Sequence, residues 1–167
     1  IFIDSGGRAF TTDAHTLPTA RSQGEPLTGR FNLAAGQTFV HSLMSDDEAK
    51  YLLASDAGYG FVSGFGDMVS RNKNGKALIS VPEAAKVMAP QLITNLESDC
   101  CLSITSEGRM LVFSVKNLPV LNKGKGNKII NIPSARAKTR EEYVSLLCVI
   151  PDNASVTLHA GKRKLTL

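Results

Sequence analysis

Asn117-Leu118-Pro119-Val120-Leu121-Asn122-Lys123-Gly124-Lys125-Gly126-Asn127-Lys128-Ile129-Ile130-Asn131-Ile132-Pro133 is the stretch around which the rest of the chain is read. An apolar turn, Leu118-Pro119, runs into a loop that carries Lys123, Lys125 and Lys128 and no acid. Gly124 and Gly126 separate the lysines, and the β-branched run Ile129–Ile132 is expected as a strand that stops at Pro133. Glycine lets a backbone bend tightly and approach a partner closely. Lysines spaced by glycines present positive charge without bulky neighbours, which suits the phosphates of a polyanion. Taken alone, the stretch reads more simply as a solvated hairpin loop. Its recurrence along the chain is what decides the fold.

Four segments share one pattern of strand, polar glycine turn and strand. They are Ile3–Phe10, Ala54–Phe61, Ile104–Leu111 and Leu158–Leu165, and their glycines Gly7, Gly58, Gly108 and Gly161 stand 51, 50 and 53 residues apart. Ten residues after each of the first three comes an apolar residue: Leu17, Met68 and Leu118. A second glycine follows at Gly24, Gly75 and Gly126. Three residues later Leu27, Leu78 and Ile129 are expected to open another strand. Phe39–Met44, Gln91–Leu96 and Val144–Ile150 then close the units. A period near 50 residues with four short strands predicts an all-β, propeller-like array of blades. One domain over 1–167 is expected, with repeats at about 1–50, 51–100 and 101–153 and a partial fourth at 154–167. Helix is scarce, with at most a turn or two at Pro82–Val87 and Arg136–Tyr143.

Charge follows the repeat. The loop around the second glycine carries Arg71, Lys73 and Lys76 in the second unit and Lys123, Lys125 and Lys128 in the third. The first unit is weaker, with Arg21 and Arg30 around Glu25, and the fourth opens with Lys162-Arg163-Lys164 on the turn where Arg8 and Arg109 stand earlier. The loop before each last strand is acidic: Asp46-Asp47-Glu48, Glu97 with Asp99, and Glu141-Glu142. Equivalent loops fall on one side of a blade array, so one basic rim and one acidic rim are expected. A net charge of only +4 can conceal such a field.

The remaining chemistry is sparse. Hydrophobic residues make up 43% of the 167 and charged residues 20%, which argues for a globular chain. Ile1-Phe2-Ile3 already reads as a strand, and the chain is read as a piece of a longer polypeptide. No apolar run approaches the roughly 18 residues of a membrane span. Cys100, Cys101 and Cys148 include no C-x-x-C and read as core or surface thiols of a reducing compartment. His15, His41 and His159 lack metal-site spacing, and the acidic triplet lacks a calcium-loop pattern. Gly58-Tyr59-Gly60 lacks the helix a dinucleotide loop needs. Tyr51, Tyr59 and Tyr143 are expected without an arginine or base beside them. No catalytic constellation, metal or cofactor is expected. Three loops of one sign at one repeat position favour nucleic acid. With 6% aromatic residues and no Trp, contact to duplex phosphates is favoured over base stacking.

Several segments resemble the ParC-type C-terminal domain of bacterial topoisomerase IV, in the gyrase A C-terminal-domain superfamily. They are Phe2–Arg8, Gln23–Gly29, Leu53–Phe61, Lys123–Pro133 and Gly161–Lys164. The resemblance runs the length of the chain. It implies an open β-pinwheel with strands exchanged between neighbouring blades, which binds and bends double-stranded DNA on a basic perimeter. It also implies, as partners, the remainder of the ParC polypeptide together with the ATPase subunit of a bacterial, cytoplasmic heterotetramer that carries catalytic tyrosine, ATP and Mg2+ elsewhere. The Gln-Arg-Arg-Gly-Gly-Lys-Gly box of gyrases is absent, and Lys123-Gly124-Lys125-Gly126 looks like a degenerate relative at the equivalent loop. The expected phosphate contacts are Arg21, Arg30, Arg71, Lys73, Lys76, Lys123, Lys125, Lys128, Lys162 and Arg163, with Gly75, Gly124 and Gly126 allowing close approach. The alternatives are a protein-docking propeller that uses its acidic rim or open edges, and, less favoured, an enzyme built on a propeller.

Overall fold

The computed structural model describes residues 1–167. Hairpins form where the glycine turns predict them. β1 (Phe2–Asp4) and β2 (Arg8–Phe10) flank Gly7, and β3 (Phe39–Ser42) closes the first unit. β4 (Lys50–Ser55) and β5 (Tyr59–Gly64) flank Gly58, followed by α1 (Phe65–Met68), β6 (Lys76–Ala77) and β7 (Gln91–Ile93). β8 (Cys100–Thr105) and β9 (Met110–Ser114) flank Gly108, followed by β10 (Asn127–Lys128), α2 (Ser134–Lys138) and β11 (Val144–Ile150). β12 (Thr157–Ala160) and β13 (Arg163–Thr166) flank Gly161. All four turn glycines have φ between 61° and 85°, a region L side chains rarely adopt.

The sheets are not built unit by unit. The first has the order β3-β1-β2-β6, and its outer strand β6 comes from the second unit. The next has the order β10-β5-β4-β7, with β10 supplied by the third. This is the strand exchange that the resemblance implies. The third sheet, β11-β8-β9, receives no such strand, and β12-β13 pairs only with itself.

Burial explains why the middle blade reads as a continuous apolar run. Side chains alternate across a strand, and both faces of β4 are covered. Leu52 and Ala54 pack with Val62, Cys101, Leu118, Ile129, Ile132 and Leu147 in one core. Tyr51 and Leu53 pack with Ile3, Ala9, Phe61, Met68, Leu78 and Ile79 in the other. The two cores fill the spaces on either side of the blade. Phe2, Phe10, Phe31 and Phe39 form a separate aromatic cluster on the first blade, with ring centroids 5.4–6.1 Å apart.

Three expectations need correction. The exchanged strands are two residues long and precede the apolar runs expected to form them. Ile129–Ile132 is bent chain, not strand, and its isoleucines are buried between blades, as Leu78 and Ile79 are. In the first unit the expected strand at Leu27 is a 3-10 turn, Leu27–Gly29, with no buried residue. Pro82–Val87 forms a turn without helix, with Ala84 at φ 61°, whereas part of Arg136–Tyr143 does lie in a helix, α2.

Candidate nucleic-acid interface

Both basic loops lie where one unit reaches across to the blade before it. The second unit's loop is fastened by its backbone. Lys73 O accepts from Asn32 N at 2.9 Å, and the Arg8 guanidinium donates to Asn74 O at 2.9 Å and Gly75 O at 2.8 Å. The third unit's loop is fastened at Gly124, whose N–H donates to Leu78 O at 2.9 Å and whose carbonyl accepts from Ser80 N at 2.8 Å. These bonds engage the main chain of the loops, and none of them uses a loop cation.

At Gly75 and Gly126 the packing of the neighbouring blade itself requires the absence of a side chain. A Cβ on Gly126 would lie 2.0 Å from Gly60 O, and one on Gly75 would lie 2.8 Å from Ala9 O. The space that Gly75 and Gly126 open is filled by the neighbouring blade. Gly124 has both backbone groups committed to residues 78–80.

The cations divide into three kinds. Arg71, Lys73 and Lys123 are exposed and enter no ion pair, as are Arg21, Lys162 and Arg163. Arg30 pairs with Glu25 and donates to the Thr16 carbonyl, while Lys76 donates to the Asp67 carbonyl. Lys125 lies over the Tyr59 ring at 3.8 Å from its centroid, with Lys128 at 6.0 Å and also bonded to Asn131 Oδ1. Arg30, Arg71 and Lys73 share one depression, which Thr11, Thr12 and Asn72 also line. No interaction joins Lys162 or Arg163 to either group.

Tyr59 corrects the expectation that no base stands beside a tyrosine, and so does Tyr143, 4.4 Å from the guanidinium carbon of Arg140. A signal for Tyr59 was present in the repeat. It occupies the position of Arg8 and Arg109, one residue after the turn glycine. Arg8 and Arg109 are committed to contacts within the fold: Arg109 Nη2 donates to Asn131 O at 2.8 Å and meets Glu142 Oε1 at 2.6 Å.

The acidic rim loses two of its members to the interior. Asp99 and Glu142 are both fully buried. Burial pushes the Asp99 carboxyl up, but hydrogen bonds from Asn95 N–H and from the Thr94 hydroxyl and N–H outweigh it and hold the group below its usual range. Burial likewise pushes Glu142 up, and the hydrogen bond from Arg109 with the charges of Arg109 and Arg136 outweighs it. Asp46, Asp47, Glu48, Glu97 and Glu141 remain exposed. Buried Asp56 pairs with Arg140 at 2.7 Å, a tie between the second and third units.

No group of three or more His, Cys, Asp or Glu side chains is arranged to hold a metal ion. His41 faces the Val87 carbonyl at 3.2 Å. The three cysteines are free, and burial together with neighbouring Cys148 and Cys100 pushes the Cys101 thiol up to about 12. No helix is long and apolar enough to cross a membrane.

Comparison with known proteins gives this geometry a family. Residues 101–149 match the family model described as DNA gyrase C-terminal domain, beta-propeller. The A subunit of DNA topoisomerase 4 from Escherichia coli K12 is 55% identical over the whole chain, and that of Haemophilus influenzae is 52% identical. The chain spans 22% of the length of each of these relatives. The solved E. coli ParC C-terminal domain superposes with a TM-score of 0.93 at 55% identity, covering 99% of this chain and 67% of that one. The DNA gyrase A C-terminal domain shares the fold at 14% identity and a TM-score of 0.67, covering 93% of this chain and 49% of its own. A β-pinwheel with exchanged strands, a repeat near 50 residues and this degree of identity over the whole chain have one reading: the chain belongs to the family of ParC C-terminal domains of bacterial DNA topoisomerase IV.

Proposed function

We propose that the chain is a non-catalytic module that binds and bends duplex DNA within a type IIA topoisomerase, presenting DNA to a cleavage core for relaxation and decatenation. Its contacts are to backbone phosphates. Its partners are double-stranded DNA, the remainder of the ParC polypeptide and the ATPase subunit. In that assembly ATP and Mg2+ act elsewhere, in the bacterial cytoplasm at the nucleoid. The observation that carries the reading is the fastening of two basic loops by main-chain bonds at successive blade junctions, which leaves Arg71, Lys73 and Lys123 exposed and unpaired. Cations placed this way contact phosphates along a curved path without reading base edges.

Equilibrium binding to several unrelated duplexes tests it. Lys123→Ala with Lys125→Ala is expected to weaken all of them alike; unchanged affinity, or a loss confined to one sequence, contradicts it. The protein-docking reading keeps one support, the free edge of β9 with Met110, Leu111 and Val112 exposed. Of the acidic rim, its other docking surface, Asp99 and Glu142 are buried.

A further inference from the structure

Cations of this molecule are held in place by different means. Arg30 is paired with Glu25, so the acid that orients it also cancels its charge. Lys125, at the junction of the second and third units, is oriented without any acid. Its Nζ stands 3.8 Å from the centroid of the Tyr59 ring, and it enters no ion pair. The one acid lining that hollow, Glu83, is already engaged by Lys138 at 2.9 Å. The backbone on both sides of the contact is fixed. Tyr59 lies opposite Ser55 and Lys128 in the sheet and packs against the core between the blades. Lys125 stands between Gly124, bonded to Leu78 O and Ser80 N, and Gly126, which abuts Gly60 O. The face of an aromatic ring attracts a cation through its quadrupole and leaves the charge in place. A lysine held this way enters a complex with part of its rotamer freedom already given up. Arg8 and Arg109, at the same repeat position, instead donate to main-chain carbonyls of Asn74, Gly75 and Asn131. An arginine there grips backbone, whereas the tyrosine holds a side chain.

We infer that Tyr59 is a positioning residue: its ring holds the Lys125 ammonium ready for a polyanion that the tyrosine itself does not touch. The inference rests on the DNA-binding reading and adds to it a neutral side chain. Because Tyr59 carries no charge, the number of phosphates neutralised does not depend on it, while the cost of ordering Lys125 does.

The test is a double-mutant cycle on the full 167-residue chain, read by the affinity of one labelled duplex across a salt series. Tyr59→Leu, which keeps an apolar side chain against the core, is expected to weaken binding about threefold with an unchanged salt slope. Lys125→Ala should weaken binding and reduce the slope by about 1. In the Lys125→Ala background Tyr59→Leu should have no further effect, and Tyr59→Phe, which keeps the ring, should bind as the wild type does. In the wild-type chain itself the Lys125 ε-methylene protons should show an upfield ring-current shift by NMR, retained in Tyr59→Phe. That measurement stands even if Tyr59→Leu fails to fold, and unshifted protons overturn the inference. So does wild-type affinity in Tyr59→Leu, or a loss that persists undiminished without Lys125, which would make the ring a packing element only. In those cases duplex still binds and the DNA-binding reading stands. If the wild-type chain binds no duplex at low salt, that reading fails and the positioning role falls with it.

Discussion

The second and third blades contain the same hairpin and bury it differently. In the second, Gly60 to Ser63 of β5 are buried, and β10 from the next unit lies along the strand. In the third, Met110, Leu111 and Val112 of β9 are 40–43% exposed, and nothing pairs with that edge. The turns differ in the same way. A Cβ on Gly58 would lie 2.7 Å from Ile130 O, whereas Gly108 has nothing within 4 Å. A hairpin's burial is thus a property of two successive units. Stability in such an array is approximately intrinsic terms plus nearest-neighbour interfaces.

The sharpest way to break this comparison uses equivalent residues three past each turn glycine. Phe61 is fully buried and Leu111 is 43% exposed. Phe61→Ala is expected to cost about 4 kcal/mol, and Leu111→Ala about 0.5 kcal/mol, by urea unfolding. Equal losses would mean that both strands are covered to the same extent. Next come the turns. Both glycines have positive φ, 85° and 79°. Gly108→Ala is expected to cost about 1 kcal/mol from backbone strain alone, and Gly58→Ala about 3 kcal/mol, because the neighbouring carbonyl must also move.

A smaller effect is expected in acid, and it should come from the third unit and its junction with the second. The folded-state carboxyls of Asp99 and Glu142 are lowered from ordinary values of 3.8 and 4.5. Groups lowered on folding stabilise fully above their unfolded values, and that stability is lost as pH falls through the folded ones. Thermal midpoints should therefore hold between about pH 6 and 5 and drop below about pH 4.5. Glu142→Gln should flatten part of that drop. The smallest expected difference lies among the three thiols: at pH 8 an alkylating reagent should modify Cys101 last, since its buried thiol is pushed up to about 12.

How much of this was legible follows from what each signal needs. The turns were readable because positive φ in a hairpin selects glycine, and four glycines near 50 residues apart mark four hairpins. Exchange of the third strand entered through the resemblance. Composition misplaced that strand because Ile129–Ile132 looks like one. Those residues are apolar because they fill the space between blades, after a strand of only Asn127 and Lys128. Glu142 read as surface charge because its partners Arg109 and Arg136 meet it only in the folded chain. The basic loops were visible as charge, but not the difference between them. The depression needs Arg30 from the first unit beside Arg71 and Lys73 from the second, and no local pattern announces that.

The central claim is that exposed cations at successive blade junctions hold duplex phosphates. Its most direct test is fluorescence anisotropy of a labelled duplex across a salt series. With about six phosphates contacted, log K should fall against log[salt] with a slope near −5, for unrelated sequences alike. Arg71→Ala/Lys73→Ala should reduce that slope by about 2. A flat dependence, or no binding at low salt, would contradict the account.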